Sequence, residues 1–217
     1  MNDEIIVYHH LGLGDHFICN GLVNKLSEDS FIHLICKENN YDTVASLYSE
    51  NDQVKVVNIK SEDSDVFEYA ENQDLEILKI GFCDFDNETF DESFYTQLGY
   101  NLVLRYNNFK LPRLSDWLYE RLVSTKDYCL ISDTCSEGQF ELSINTSLEK
   151  IYIKPGITTN LLDYVSLIKN AKEIHCIDSA VYHLVDSIGV QAKLFFHDVR
   201  NSPNNKIRVS NKWIRVQ

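Results

Sequence analysis

The chain has 217 residues, of which 44% are hydrophobic and 24% charged, as in a soluble globular protein of one large or two small domains. It carries 33 acidic residues against 20 basic ones, a formal charge of −13 at pH 7. Such a surface repels polyanions, which excludes nucleic acid and anionic lipid surfaces as general partners. Small anions remain possible ligands, because local dipoles and a few cations can reverse the field.

The first part of the chain alternates predicted strands with predicted helices. Apolar runs predict strands at 4–8, 31–36, 53–59 and 75–80. Ile18, Leu22 and Leu26 recur at helical spacing after the first strand, and 41–48 and 64–72 are predicted as two further helices. This alternation is typical of a parallel α/β sheet with helices on both faces.

The pattern is weaker between 81 and 127. Residues 81–92 are strongly acidic and are predicted to form a solvated loop, and 93–113 mix aromatic residues with few periodic cues. Residues 114–123 have the spacing of an amphipathic helix, and the polar stretch 124–127 is the best candidate for a linker.

A second α/β pattern follows the predicted linker. Strands are predicted at 128–133, 139–145, 150–154, 173–178 and 193–198, and a short final element at 211–217. Helices are predicted at 160–171, with Asn160 as N-cap, and at 179–189, closed by Gly189. The sequence therefore predicts two small Rossmann-like lobes, 1–123 and 128–217.

The cysteines and the chain start bear on metal content and location. The six cysteines form no C-x-x-C pair, and no histidine pair has zinc-finger spacing, so no metal site is expected. Neither a basic signal-peptide start nor an apolar run of membrane-spanning length is present. We therefore expect a cytoplasmic protein without stable membrane insertion.

The first chemical motif is "HHLGLGDH", at the end of the first predicted strand. Gly12 and Gly14 form G-x-G, but Phe17 stands where a dinucleotide fingerprint has its third glycine. Glu38, after the second strand, could imitate the ribose-binding carboxylate, which leaves a nicotinamide or flavin site open. Asp15 is the unexpected residue, because a carboxylate would repel a phosphate held by the loop.

The second motif is "IHCIDSAVYHLVDSIG", residues 174–189. An apolar stripe is predicted to face the sheet, with Ser179, His183 and Asp186 on roughly the opposite side. Asp178 and Ser179 stand at the helix start, where they either cap the backbone or leave its N–H groups free to seat a diphosphate. Ser132, at the end of a neighbouring predicted strand, either touches the same ligand or only forms a turn with Asp133.

Together these stretches resemble the heptosyltransferase-like glycosyltransferases of family 9. "HLGLGDHFICNGLV" is similar to that family's G-x-G-D opening, and residues 161–190 to its C-terminal helix, strand and D-S/T-G-x-x-H pattern. The resemblance implies a compact GT-B architecture, in which two Rossmann-like lobes face across a cleft. Ala180 replaces the family's glycine, and the chain is shorter than typical members, so acceptor-binding insertions are expected to be missing and a heptose is not implied.

The resemblance also implies roles for individual residues. Asp15 would be the general base that deprotonates the acceptor hydroxyl, in an inverting, metal-independent transfer from a nucleotide sugar. The residues implied on the donor side are Asp178, Ser179, His183, Lys154, Thr158 and Thr159, and Ser132 is placed there from its position at a strand end. The residues placed on the acceptor side, from their position near the opening motif or their charge, are Gly12, Gly14, His10, His16 and Arg105. Ordinary structural roles remain open as well. His9, His10 and His16 could each be a strand-end histidine without a functional role, and Arg105 could form a surface ion pair.

The function expected from the resemblance is transfer of a hexosyl or related group to a glycan or lipid-linked acceptor in surface polysaccharide or glycolipid synthesis, with peripheral contact at the inner face of the membrane. No metal or other cofactor is expected, although "DFD" at 84–86 keeps a metal-dependent transferase open. A nucleotide-sugar binding module without turnover and an NAD-dependent oxidoreductase are the alternatives. The donor sugar, the acceptor and the oligomeric state are not determined by the sequence.

Overall fold

The structure, a computed structural model, describes residues 3–60, 63–82, 89–200 and 209–216. Contacts divide the chain into two compact units, Met1–Pro112 and Arg113–Gln217. The division lies ahead of the linker expected at 124–127, because the helix Trp117–Leu122 packs on helical residues of the second unit.

The first unit contains a four-stranded parallel sheet in the order β3-β2-β1-β4. Its strands are β1 (Asp3–Tyr8), β2 (Ser30–Lys37), β3 (Val54–Ile59) and β4 (Ile77–Lys79). Its α-helices are α1 (Leu13–Leu26), α2 (Tyr41–Leu47), α3 (Asp63–Gln73), α4 (Phe90–Thr96) and α5 (Val103–Asn107), with a 3-10 turn at Glu38–Asn40. Strands and helices alternate as predicted, and the core between α3 and the sheet includes Ile6, Ile35 and Val66.

Helices α4 and α5 were not predicted, and a glycine and a tyrosine explain how they pack. A Cβ on Gly21 of α1 would lie 2.4 Å from the carbonyl oxygen of Leu104, so only glycine lets α5 approach α1 this closely. The hydroxyl of Tyr95, in α4, donates a 2.6 Å hydrogen bond to the backbone oxygen of Ile18. Both helices therefore pack on the first helix.

The second unit contains a five-stranded parallel sheet in the order β11-β10-β9-β5-β8. Its strands are β5 (Tyr128–Ser132), β8 (Glu149–Tyr152), β9 (Glu173–Cys176), β10 (Lys193–His197) and β11 (Trp213–Val216), with a two-strand hairpin of β6 (Thr134–Cys135) and β7 (Gly138–Gln139). Its helices are α6 (Trp117–Leu122), α7 (Val165–Asn170) and α8 (Ala180–Ile188), with a 3-10 turn at Leu161–Tyr164 ahead of α7. The predicted α/β class, with a Rossmann-like parallel sheet in each unit, is confirmed.

The prediction of a strand at 139–145 is wrong. In this region Gly138 and Gln139 pair with Cys135 and Thr134 in a short hairpin, and the ladder does not continue beyond them. Phe140, Leu142 and Ile144 are nevertheless half-buried while the residues between them are exposed. Buried and exposed side chains alternate here as they do in a strand, but no neighbouring strand pairs with this extended segment. Its apolar side chains line a cavity instead.

Part of the predicted acidic loop lies outside the described residues, including "DFD" at 84–86. Residues 90–92, at its end, form the first turn of α4. Within the part of the chain that the structure describes, no helix has the length and hydropathy needed to cross a membrane.

Candidate functional site

Asp15 in the first unit lies in the first turn of α1, directly after the glycine loop. Its carboxylate accepts a 3.2 Å hydrogen bond from the backbone N–H of Gly12, the residue that caps the helix. A Cβ on Gly12 would lie 2.6 Å from the Asp15 Oδ2 atom, so the missing side chain makes room for this carboxylate. The loop is therefore built around a half-buried carboxylate at a helix N-terminus, where the helix dipole favours its charged form.

Three histidines surround this loop, and two of them are fully buried. The rings of His9 and His16 meet edge to face with centroids 4.5 Å apart. Burial lowers the pKa of His9 to about 4 and lowers the pKa of His16 well below its ordinary value, so both imidazoles are neutral at physiological pH. His16 is 0% exposed and cannot touch an acceptor in this conformation, contrary to expectation. His10 is half-buried beside Phe82 and Phe94, and burial lowers its pKa as well.

Arg105 also differs from its predicted role. Its side chain is 2% exposed and forms an ion pair with Asp91, whose side chain is 12% exposed, at 2.7 Å. The guanidinium is part of the packing between α1, α4 and α5. It is neither an exposed acceptor contact nor the surface ion pair considered as its alternative.

In the second unit, the predicted donor residues lie at the carboxyl ends of adjacent strands. Ser132 ends β5, Lys154 follows β8, and Asp178 follows β9. The backbone continues pairing beyond the strands: Ile153 N–H donates to the oxygen of Ile131 at 2.8 Å, and Ile177 N–H to that of Ser132 at 3.2 Å. The carboxyl edge of an open parallel sheet is where α/β proteins bind their ligands.

The start of α8 is not capped by its own side chain. Ser179 occupies the N-cap position in extended backbone, yet its side chain makes no capping hydrogen bond. The hydroxyl is buried, the residue being 9% exposed, and Oγ has no hydrogen-bond partner among the described residues. The start of this helix therefore has no side-chain cap from Ser179, and the serine hydroxyl beside it is unused among the described residues.

Arg200 compensates the negative charge beside this helix start. Its guanidinium donates a 2.9 Å hydrogen bond to the backbone oxygen of Asp178, lies 3.3 Å from that residue's carboxylate, and forms an ion pair with Glu137. Burial raises the pKa of Asp178, and the charge of Arg200 opposes that rise. Burial alone would lower the pKa of Arg200, but Glu137 and Asp178 outweigh it and raise the pKa. His183 Nε2 is 3.8 Å from the Asp178 carboxylate.

The other helix start in this unit is already capped. The side chain of Asn160 accepts a 3.0 Å hydrogen bond from Leu162 N–H, which confirms the predicted N-cap. Thr158 donates its hydroxyl to the carboxylate of Asp163 and accepts from Asn160 N–H at 3.0 Å. Thr159 is exposed. The backbone N–H groups of Asn160 and Leu162 are already hydrogen-bonded within this turn. The turn is therefore a weaker candidate for binding a phosphate than the start of α8.

A polar cavity of about 620 Å³ opens at the same sheet edge. It lies beyond β5 and β8, and its lining includes Lys154, Tyr152, Asp133 and Glu141. The Asp133 carboxylate accepts from Gln139 Nε2 at 2.9 Å, which fixes it in the wall of the cavity. The cavity brings a cation, two carboxylates and an aromatic ring together beyond the carboxyl ends of β5 and β8, and β5 is the neighbour of β9, the strand that precedes α8.

Sequence reasoning missed Arg200 and misplaced Asp186. Arg200 could have been found from the sequence, because it is a basic residue in an acidic chain and lies two residues after the predicted strand at 193–198. Asp186 does not lie on the solvent face of α8: it is buried and accepts 3.0 Å hydrogen bonds from Trp213 Nε1 and Ser210. Trp213 begins the final strand β11 and Ser210 lies three residues ahead of it, so the helical period alone could not reveal these donors.

Comparison with solved structures identifies the fold. Over 99% of this chain and 86% of the other, it superimposes on the family 9 glycosyl transferase from Veillonella parvula DSM 2008 with a TM-score of 0.62 and 12% identity. The fold is that of a family 9 glycosyltransferase.

Two further structures of the same class match. The iron-containing dodecameric glycosyltransferase TibC from enterotoxigenic E. coli H10407 gives a TM-score of 0.55 at 14% identity, and the TibC heptosyltransferase in complex with ADP-D-beta-D-heptose gives 0.55 at 13%. The chain spans 62% of the length of these two proteins. No protein-family model matches the sequence, and no curated protein matches it either.

Proposed function

We propose that this protein is an inverting glycosyltransferase that moves a hexosyl or related group from a nucleotide sugar to a hydroxyl of a glycan or lipid-linked acceptor. The observation that carries the proposal is the uncapped start of α8, with the buried hydroxyl of Ser179 unused. It lies at the carboxyl edge of a parallel sheet in a chain with the family 9 fold. The ADP-heptose complex of TibC supports a nucleotide-sugar donor.

The donor diphosphate would sit on the first turn of α8. The dipole of α8 would attract it, and the Ser179 hydroxyl would donate a hydrogen bond. Arg200 neutralises Asp178 at this position, so the carboxylate does not repel the phosphates. The nucleoside would extend toward the cavity beside Lys154, where carboxylates can accept hydrogen bonds from ribose hydroxyls.

Asp15 would act as the general base. The attacking hydroxyl must lose its proton as the bond to the anomeric carbon forms and the bond to the diphosphate breaks, with inversion at that carbon. The Gly12 N–H holds the Asp15 carboxylate, and the missing Gly12 side chain leaves room for that carboxylate beside the backbone. His10 and Gly14 would flank the acceptor, with His10 as the neutral hydrogen-bonding partner.

The reaction as proposed requires no metal. The leaving diphosphate gains negative charge, and the helix N-terminus, the hydroxyl of Ser179 and the positive charges of Arg200 and Lys154 would stabilise it by fixed dipoles and cations. His183 would hold Asp178 in place from the other side of its carboxylate.

We place the activity in the synthesis of surface polysaccharide or glycolipid, on the cytoplasmic side of the membrane, with peripheral contact where the acceptor is lipid-linked. The acidic surface argues against adsorption on anionic lipid, so contact would run through the acceptor itself.

The test has a binding stage and a turnover stage. Nucleoside diphosphates and nucleotide sugars are screened for an increase in melting temperature, since a ligand at 100 times its Kd stabilises the fold by about 2.7 kcal/mol. Transfer from the donors found is then measured with a panel of glycan acceptors. Asp15→Asn should lower turnover by about 10²- to 10⁴-fold and leave donor binding unchanged.

The matched control is Asp42→Asn, which changes the exposed aspartate in the first turn of α2 and should leave turnover unaffected. Binding without turnover for any acceptor would support a nucleotide-sugar binding module instead. Stabilisation by NAD(H) alone would support an oxidoreductase, and no stabilisation by any nucleotide would overturn the proposal.

A further inference from the structure

A second cluster of reactive side chains lies on one face of the sheet in the second unit. Cys129 of β5 pairs directly with Glu173 of β9, and His175 follows two residues along β9. Because side chains alternate along a strand, all three project from the same face. Their ligand atoms, a thiol sulfur, a carboxylate oxygen and a ring nitrogen, lie within 4.8 Å of one another.

The imidazole of His175 is held in a fixed orientation. It stacks on the ring of Phe195 with centroids 4.4 Å apart and planes 9° apart, and its Nδ1 atom hydrogen-bonds His197 Nε2 at 2.8 Å. The other nitrogen, Nε2, is buried and has no hydrogen-bond partner among the described residues; Glu173 is the nearest carboxylate, at 4.0 Å. A buried polar atom without a hydrogen-bond partner lowers the stability of the folded protein, unless a bound ion or ligand satisfies it.

The set of donors is characteristic of zinc. A thiolate, an imidazole and a carboxylate are all good zinc ligands, and a histidine ligand whose second nitrogen bonds a neighbouring side chain is the usual arrangement around that metal. Tetrahedral coordination needs ligand atoms about 3.5 Å apart, so the cluster must contract by roughly 1 Å. Glu173 can supply this movement, because its side chain is 20% exposed.

Two lysines flank the cluster, because Lys193 of β10 pairs with Glu173 in addition to Lys150, which pairs with Cys129. Lys150 of β8 pairs with Cys129 from the other side, and its ammonium donates a 3.1 Å hydrogen bond to the backbone oxygen of Ile144. Cys129 and Glu173 stand near the amino ends of their strands, whereas the proposed donor residues stand at the carboxyl ends. The cluster is therefore separate from the proposed donor site.

We infer that Cys129, Glu173 and His175 bind a zinc ion, with a water molecule at the fourth position, and that this ion joins β5 to β9. His197 is a positioning residue that orients His175. The inference departs from the expectation that the protein holds no metal, and it does not depend on the proposed glycosyl transfer.

The experiment uses the full-length, tag-free protein, stripped with a chelator and titrated with Co²⁺ as a spectroscopic substitute for Zn²⁺. One Co²⁺ per chain should bind with a thiolate-to-cobalt charge-transfer band, and Zn²⁺ should displace it. Cys129→Ala should abolish the band, and the control Cys135→Ala, which changes a half-buried cysteine of the same unit, should retain it. His197→Gln should raise the Kd for Zn²⁺ by about 10- to 100-fold.

Glu173→Gln keeps the test decisive where Cys129→Ala fails to fold, because this side chain is partly exposed. It should weaken Zn²⁺ binding by at least about tenfold, as expected for loss of a ligand. No charge-transfer band in the wild-type protein, or a Zn²⁺ affinity unchanged by Glu173→Gln, would overturn the inference. Nucleotide binding by the stripped protein is measured in parallel and should be unaltered, which separates this result from the test of the proposed function.

Discussion

Replacing Asp91 by alanine should strongly destabilise the protein, because it removes the counter-charge of a buried guanidinium. The Arg105 side chain is 2% exposed, and its Nη1 atom lies 2.7 Å from the Asp91 carboxylate. Breaking a buried ion pair from one side costs about 3–5 kcal/mol, a large share of the roughly 5–15 kcal/mol that stabilises a typical domain.

The chain provides a matched control in an exposed ion pair. Lys172 and Asp127 approach to 3.6 Å, with side chains 55% and 60% exposed. Pairs of this kind contribute about 0–1 kcal/mol, so Asp127→Ala should have little effect.

Urea unfolding followed by far-ultraviolet circular dichroism measures both variants against the wild type, with the slope of the transition checked for constancy. We expect the midpoint to fall sharply for Asp91→Ala and hardly at all for Asp127→Ala. Equal small shifts would refute the reasoning that Arg105 is a structural residue, and would return it to the set of candidate ligand contacts.

Three further predictions follow from the same contacts. Gly21→Ala should cost about 1–3 kcal/mol in urea unfolding, because its methyl group would meet the Leu104 carbonyl oxygen; a stabilised variant would contradict the packing. Burial lowers the pKa of His9 to about 4, so below about pH 6.5 the unfolded chain takes up a proton that the folded chain does not. His9 alone should lower the free energy of unfolding by up to about 3 kcal/mol toward pH 4, and His9→Phe should reduce the slope by that amount; an unchanged slope would contradict the assignment. Ser179→Ala should change the stability of the unliganded protein by less than about 0.5 kcal/mol in urea unfolding, since no capping bond is lost; a loss of about 1 kcal/mol would show that the serine caps α8.

Most of the fold could be predicted, because most strands and helices show their own periodic spacing of apolar residues. The strands of both sheets and helices α1, α2, α3, α6, α7 and α8 follow from local sequence patterns, except β11, which was expected only as a short final element. Helices α4 and α5 could not be found in this way, because they have seven and five residues and pack on α1 through Gly21 and Tyr95. The segment after Gln139 was predicted as a strand because its apolar and polar residues alternate. It does not pair, because pairing depends on a neighbouring strand that the local sequence does not specify.

The candidate site was predictable in position and less so in detail. Strand ends and helix starts located Asp15, Asp178 and Ser179, because these features are local. The burial of His16 and the ion pair of Arg105 depend on residues far away in sequence, and no spacing rule gives them. The same limit concealed the cluster on β5 and β9, because Cys129 lies more than forty residues before Glu173 and His175 along the chain.

The central claim is that a nucleoside diphosphate binds at the start of α8. Isothermal titration calorimetry tests it most directly, with the diphosphate that gives the largest thermal shift and with wild-type protein, Ser179→Ala and Ser187→Ala. Ser187 is a buried serine at the other end of the same helix, so it serves as the control. A hydrogen bond to a charged group contributes about 1.5–3 kcal/mol, which predicts a Kd about 10- to 150-fold higher for Ser179→Ala and unchanged for Ser187→Ala. Equal affinities for the wild type and Ser179→Ala would contradict the account.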